Sequence, residues 1–257
     1  MVRGLYTAYT GMANEQKRLD IISNNLANAA TVGYKKQSVT NQSFDDLLTY
    51  KIKDASDPVV NRNIGSMSLG VKIGEEYTDF SQGSLRETGN TYDLAMDGSG
   101  FFKVAVTDEN GNETIKYTRD GSFKLNQNGF VVDTDGNRLM SESGYIQIPT
   151  DTNEVSIDSD GSVYCDDVLY DKVAVTDFED YDYLAKFGDN MYEAVDGATE
   201  KAATGLVQQG FTEQSNVQSV SEMVQMITIT RAYEANSKVI KTVDGMIDKA
   251  VNSVGRV

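Results

Sequence analysis

The stretch Ser219–Asn252, SVSEMVQMITITRAYEANSKVIKTVDGMIDKAVN, sets the reading of this chain. Met226, Tyr233, Ile240 and Ile247 recur every seven residues, a row that Val254 extends. Ile229, Asn236, Val243 and Ala250 fill a companion register three positions on. Such a repeat puts one apolar stripe on a long helix. Ser219 and Glu222 have the spacing of a capping box at its start. At about 1.5 Å per residue the helix would be roughly 50 Å long. Val220, Val224 and Ile227 lie off the stripe, so a single partner helix cannot cover both faces, and the uncovered one reads as an interaction surface.

The other end of the chain carries a matching pattern. Leu5, Met12, Leu19 and Leu26 repeat every seven residues, with Ala8, Ile22 and Ala29 in register beside them. A helix over Arg3–Ala30 is expected, ended near Gly33, where a residue free to take positive φ is useful. Ser23, Asn24, Asn25 and Asn28 are poor helix formers crowded into it. They read either as solvent-facing residues that fray the helix or as amides that bond to a neighbouring subunit. Asn236 in the companion register reads as a register-fixing amide. Arg231 reads as an ion-pair partner of Glu234 or of a neighbouring subunit, or as an exposed side chain.

Between the helices the period changes. Asp97-Gly98, Asn110-Gly111, Asp120-Gly121, Asn128-Gly129, Asp135-Gly136, Asp160-Gly161 and Asp196-Gly197 are turn signals. They separate apolar runs at Phe101–Val106, Ile115–Thr118, Phe130–Val132 and Val173–Phe178, the pattern of an all-β module. The expected fold is α+β: long N- and C-terminal helices packed as a coiled-coil-like pair, with a central all-β domain. The divisions are 1–36, a helical segment; 37–91, an extended connector with a short helix at Phe44–Leu48; 92–204, the β domain; and 205–257, a returning connector and helix.

Composition excludes several functions. The chain has 257 residues, 39 acidic against 23 basic, for a net charge of −16. That field repels nucleic acid and anionic membrane surfaces. The acid concentrates in 151–200, where fifteen carboxylates face two lysines, while 1–39 carries five basic residues against two acidic ones. There is no histidine, which removes the usual general base and the commonest metal ligand. The single cysteine, Cys165, sits in a strand-like run and reads as a small core residue. Neither an apolar leader nor a membrane-spanning run is visible, so membrane insertion is not expected.

Chemistry fares poorly on inspection. Most aspartates precede glycine in turns, which accounts for them without acid–base catalysis. Two segments approach an EF-hand spacing, Asp158-Asp160-Gly161-Asp167 and Asp133-Asp135-Gly136-Glu142, but Ser156 and Val131 stand at the first ligand positions. Glycine patterns such as Gly98-Ser99-Gly100 are too short for a phosphate loop. No cofactor and no enzymatic activity are expected.

Several segments carry a resemblance. Ser23-Asn24-Asn25-Leu26-Ala27-Asn28, followed by Thr31, Gly33 and Lys35, resembles the N-terminal signature of the flagellar rod and hook proteins. Glu222–Ile227 and Arg231–Lys238 resemble that family's C-terminal signature; Phe80–Leu85, Asp93–Phe102 and Tyr117–Phe123 resemble segments of its rod members. Length and Phe44–Leu48 look most like distal-rod members, with proximal-rod members second. The resemblance implies a helical homopolymer forming the axial rod of the flagellar basal body, with terminal helices forming the inner tube and the β domain outside. It implies neighbouring rod and hook proteins as partners, passage through the flagellar type III export apparatus, and a place outside the cytoplasmic membrane. The assembly residues expected on the helical core are Leu5, Met12, Leu19, Asn24, Asn25, Leu26, Asn28, Val224, Ile227, Arg231, Tyr233, Asn236, Ile240 and Ile247. The alternative is a rod–hook adaptor or proximal-rod component that does not form long filaments.

Overall fold

The computed structural model describes residues 2–51, 62–107, 111–149, 152 and 154–254. Asn110 and Asp151 of the sequence reading, and the side chain of Val254, lie outside the described residues. The architecture is α+β, with a helix at each end and a β domain in the middle. The chain forms two compact units, one from the segments up to Ala27, Gln37–Thr78 and Gln218 onward, the other from Asn28–Lys36 and Asp79–Val217.

The first unit holds α1 (Val2–Ala27), β1 (Gln37–Ser43), β2 (Leu47–Lys51), β3 (Arg62–Met67), β4 (Val71–Thr78) and α2 (Ser219–Lys249), which continues as a π-helical turn over Ala250–Val254. At about 1.5 Å per residue, the 31 residues of α2 span roughly 46 Å. Its start differs from expectation. Gln218 is the N-cap and makes no side-chain cap bond, so Ser219 and Glu222 form no capping box. Instead Glu222 is buried one turn into the helix, where the amide dipoles favour a carboxylate. The helix expected at Phe44–Leu48 is absent: Leu47–Lys51 is a strand, antiparallel to β3. The β1 strand pairs antiparallel with β4, from Gln37 opposite Thr78 to Ser43 opposite Val71. The β1–β4 pair lacks the buried-exposed alternation that marks a strand in sequence, because much of both strands faces solvent.

Glycines let α1 approach its neighbours. A Cβ on Gly11 would stand 3.0 Å from the Asn236 amide nitrogen, so this glycine marks a contact of α1 with α2. Ala8, Ile22, Ile229 and Val243, all of the companion registers, are buried. The polar residues of α1 bind β strands. Asn14 donates to the Asn41 side chain at 3.2 Å, and Asn25 brackets the Gln37 backbone, donating to its carbonyl at 2.8 Å and accepting from its N–H at 3.0 Å.

The second unit is antiparallel throughout. Its strands are β5 (Leu85–Glu87), β6 (Leu94–Asp97), β7 (Phe101–Thr107), β8 (Glu113–Thr118), β9 (Lys124–Leu125), β10 (Val131–Val132), β11 (Arg138–Leu139), β12 (Val155–Ile157), β13 (Ser162–Cys165), β14 (Val168–Lys172), β15 (Val175–Phe178), β16 (Leu184–Phe187), β17 (Met191–Ala194), β18 (Glu200–Ala202), β19 (Leu206–Gln209) and β20 (Phe211–Glu213). The central strand is β7, paired with β8 along one edge and with β11 and β15 along the other. It is buried on both faces, hence the consecutive apolar residues on either side of Lys103. Phe102 and Val104 pack into a cluster with Leu94, Met96, Phe123, Val163 and Cys165, while Phe101 enters an aromatic cluster with Tyr117, Phe178 and Tyr192. Cys165 is thus the core residue the sequence suggested. The turn glycines Gly98, Gly129, Gly136, Gly161 and Gly197 take positive φ as expected. Gly121 does not; a Cβ there would collide with the Leu94 carbonyl at 1.5 Å, so the glycine serves close approach instead.

Candidate assembly interface

The apolar residues of α2 differ widely in exposure. Ile229 and Val243 point inward, whereas Val220, Met223, Val224, Ile227, Val239, Met246, Ile247 and Val251 are exposed. Val220 stands at 71% and Val224 at 59%, values a lone folded chain gives to few aliphatic side chains. The row Val220–Val224–Ile227 follows helical spacing, so it forms one stripe. On α1, Tyr6 and Tyr9 are exposed beside the half-buried Leu5 and Met12. Exposed Thr228, Thr230 and Thr242 fold their hydroxyls back onto the carbonyls four residues earlier, and so contribute methyl groups to the α2 surface.

The sequence-derived interface residues fall into three settings. Val224, Ile227, Ile247, Arg231 and Asn24 are exposed. Leu5, Met12, Leu19, Leu26, Asn28, Tyr233, Asn236 and Ile240 are half-buried. Asn25 is buried, and its amide is committed to the Gln37 backbone within the chain. Asn28 accepts from the Thr31 hydroxyl at 3.1 Å.

Sequence reasoning missed a second constellation. In the β unit, Glu213 is fully buried and holds two cations: Lys35 at 2.5 Å on one carboxylate oxygen and Arg119 at 3.3 Å on the other. Lys35 also donates to the Ser81 carbonyl, and Glu213 accepts from the Gly83 N–H, both at 2.8 Å. The Arg119 guanidinium lies 5.1 Å from the centre of the Phe101 ring. Burial lowers the Lys35 ammonium from its ordinary value, Glu213 opposes that, and Arg119 adds to the lowering. The cluster anchors the segment Asn28–Lys36, which follows α1, to the β unit. Gly33 reinforces the anchor: its φ is +69°, and a Cβ would lie 2.3 Å from the Asp120 nitrogen. No local pattern could have shown this, since Lys35 and Glu213 are 178 residues apart.

Among the described residues no group of three His, Cys, Asp or Glu side chains is placed to hold a metal ion. The two EF-hand-like spacings sit in turns around Gly136 and Gly161. Among the described residues no helix is long and apolar enough to cross a membrane.

These features define a class: α+β chains with an antiparallel β unit between two terminal helices, the second presenting an apolar row outward. Comparison with known proteins is specific. Residues 5–35 match the family described as Flagella basal body rod protein, residues 95–165 the Flagellar hook protein FlgE/F/G D1 domain, and residues 208–253 the Flagellar basal body rod FlgEFG protein C-terminal. The flagellar basal-body rod protein FlgG of Bacillus subtilis is 37% identical, over 98% of this chain and 99% of that one. The FlgG of Borreliella burgdorferi is 32% identical over 98% of both chains, and the flagellar basal-body rod protein FlgF of Caulobacter vibrioides is 32% identical over the whole of both. The chain belongs to the flagellar basal-body rod protein family.

Proposed function

We infer that this chain is a structural subunit of the bacterial flagellar basal-body rod, and that it polymerises through its terminal helices. The observation that carries the reading is the exposed row Val220–Val224–Ile227 on a helix that buries Ile229 and Val243 on another face. A monomer gains nothing from that row; a second copy seated on it removes it from water, at about 0.8 kcal/mol per buried methylene. A patch that seats on a different patch of the next copy makes a head-to-tail contact, which propagates into a helical filament unless it closes. In this reading α1 and α2 pair in a coiled-coil-like manner, with Leu5, Met12, Leu19, Leu26, Tyr233, Ile240 and Ile247 along the seam and Asn24, Asn28, Arg231 and Asn236 setting register. Segments 1–36 and 205–257 then make the core, 92–204 the outer β domain, and 37–91 the connection. Rod and hook proteins are the axial neighbours, the flagellar type III apparatus is the route of export, and the role is mechanical, not enzymatic.

The test is assembly of the full chain at rising concentration, followed by sedimentation and electron microscopy. The wild type is expected to form rods, and a Val224→Asp, Ile227→Asp double variant to remain monomeric with an unchanged thermal transition of its β unit. Rods formed equally well by the variant would refute the interface. The full-length likeness to a FlgF supports a second reading, a proximal-rod component of limited length. Closed rings or one-to-one complexes from the wild type would favour it.

A further inference from the structure

The hairpin of β13 and β14 carries a feature that the assembly reading leaves unused. Asp166 and Asp167 both take positive φ, 49° and 66°, the two-residue turn of a tight hairpin. Immediately after it, Val168, Leu169 and Tyr170 are exposed at 67%, 60% and 50%. Elsewhere in the β unit large exposed apolar residues do not follow one another along the chain, as at Ile115, Leu125 and Leu206, which is ordinary for a protein surface. Three in succession are not; such a run is selected against unless it is used.

The geometry accounts for Leu169 and Tyr170 facing out together. In the three-stranded sheet β12–β13–β14, β14 is an edge strand, met on its outer side only at its end, where the Glu142 N–H donates to the Lys172 carbonyl at 3.2 Å. Its register slips between Leu169, opposite Tyr164, and Asp171, opposite Val163, so Tyr170 is the extra residue of a bulge. Without a slip, Leu169 and Tyr170 would point to opposite faces; the bulge re-aims the chain at that step. Acid rims the apolar tip: Asp166 and Asp167 precede it, Asp171 follows it, and the backbone N–H of Glu154 bonds to the Asp166 side chain at 3.1 Å.

We propose that the Val168–Tyr170 tip is a docking spot for a different protein, one that brings an apolar side chain flanked by basic ones. Charge decides between the possible occupants. Two copies joined tip to tip would oppose Asp166, Asp167 and Asp171 of one to the same residues of the other, and like charges across a strand pair are destabilising. A partner with lysine or arginine around an apolar residue meets both requirements, cation on rim and carbon on tip, and the rim charges speed its encounter at low salt.

The test uses the full wild-type chain and a synthetic eight-residue peptide of alternating lysine and valine as probe. A control peptide has glutamate for lysine. A Val168→Thr, Leu169→Thr, Tyr170→Thr variant keeps the strand propensity and every charge. Amide resonances of Asp166–Lys172 are expected to shift with the basic peptide, which should bind about tenfold tighter to the wild type than to the variant. The acidic peptide should leave them unmoved. Equal affinity for variant and wild type would reduce the effect to bulk attraction by an acidic protein and overturn the proposal. So would perturbation centred outside the hairpin, or concentration-dependent self-association that the variant abolishes, which would make a second copy the occupant. Dispersed spectra of the variant establish that it is folded.

Discussion

Glu213 is the residue on which most depends. Lys35 and Arg119 each occupy one of its oxygens, with all three side chains almost wholly out of solvent. Replacing Glu213 by Ala would leave two buried cations facing each other, a change that costs about 3–5 kcal/mol. The urea midpoint of the β unit should fall accordingly, and moderate salt should leave the difference largely unchanged, since buried pairs are poorly screened. A midpoint within experimental error of the wild type would show that the cluster is dispensable. Asp133 behaves in the opposite sense. It is buried, one carboxylate oxygen has no hydrogen bond, and Asp120 and Asp135 lie close enough to repel its charge. Burial first and Asp120 second push its carboxyl up to about 6. The folded chain therefore holds this proton more tightly than the unfolded chain does. The ionised form is a liability above about pH 6, and the liability fades as pH falls toward the ordinary carboxylate value near 4. Asp133→Asn should raise stability at pH 7.5 by about 2–3 kcal/mol and lose most of that advantage at pH 4. Chemical denaturation at the two pH values measures it; an advantage independent of pH would exclude the titration.

At the level of elements, the two terminal helices were legible because a 3.5-residue repeat survives any change of neighbour. The registers divided the work in a way periodicity alone does not reveal: Ala8, Ile22, Ile229 and Val243 take the deeper burial, while Leu5, Met12, Leu19, Tyr233 and Ile240 stay half-exposed. The strands of the β unit were legible from their turn glycines and from β7. Strands β1 to β4 were not. Gln37–Ser43 is polar along most of its length and exposed toward its end, so neither alternation nor an apolar run betrays it. The charge cluster was invisible for another reason: Lys35, Arg119 and Glu213 meet only through tertiary structure. A prediction follows for α1. Gly11 faces the Asn236 amide at 3.0 Å, whereas Gly4 has open space where its Cβ would be. Gly4→Ala should raise helicity and stability by up to about 1 kcal/mol, through backbone entropy alone. Gly11→Val should lower stability by about 1–3 kcal/mol, because the added carbons need room that α2 occupies. Circular dichroism at 222 nm through a thermal ramp reports both; equal effects at the two positions would deny a close contact at Gly11.

For the molecule as a whole, the relevant contrast lies between a β unit with two packed clusters and helices whose outward rows remain uncovered. Local opening is cheapest where few apolar contacts must break. In dilute monomer, amides of Phe101–Val106 should exchange slowest, and those of α1 and of α2 near Val224 markedly faster. Polymerisation should slow the helical amides by at least tenfold and leave β7 almost unchanged. Hydrogen exchange followed by mass spectrometry decides it, and uniform protection in the monomer would contradict the assembly reading.

The division of the chain into units has a kinetic corollary. The β unit draws on Asp79–Val217, an unbroken stretch, plus nine residues from Asn28 to Lys36. The helical unit draws on three pieces, and about 190 residues of chain separate the end of α1 from the start of α2. Closing a loop of that length costs roughly 4–5 kcal/mol in chain entropy before any helix contact repays it. Condensing the middle first shortens the effective loop. Newly extended chain should therefore acquire its β structure early and bring its two ends together last, with the final step slowed by mutations that weaken β7.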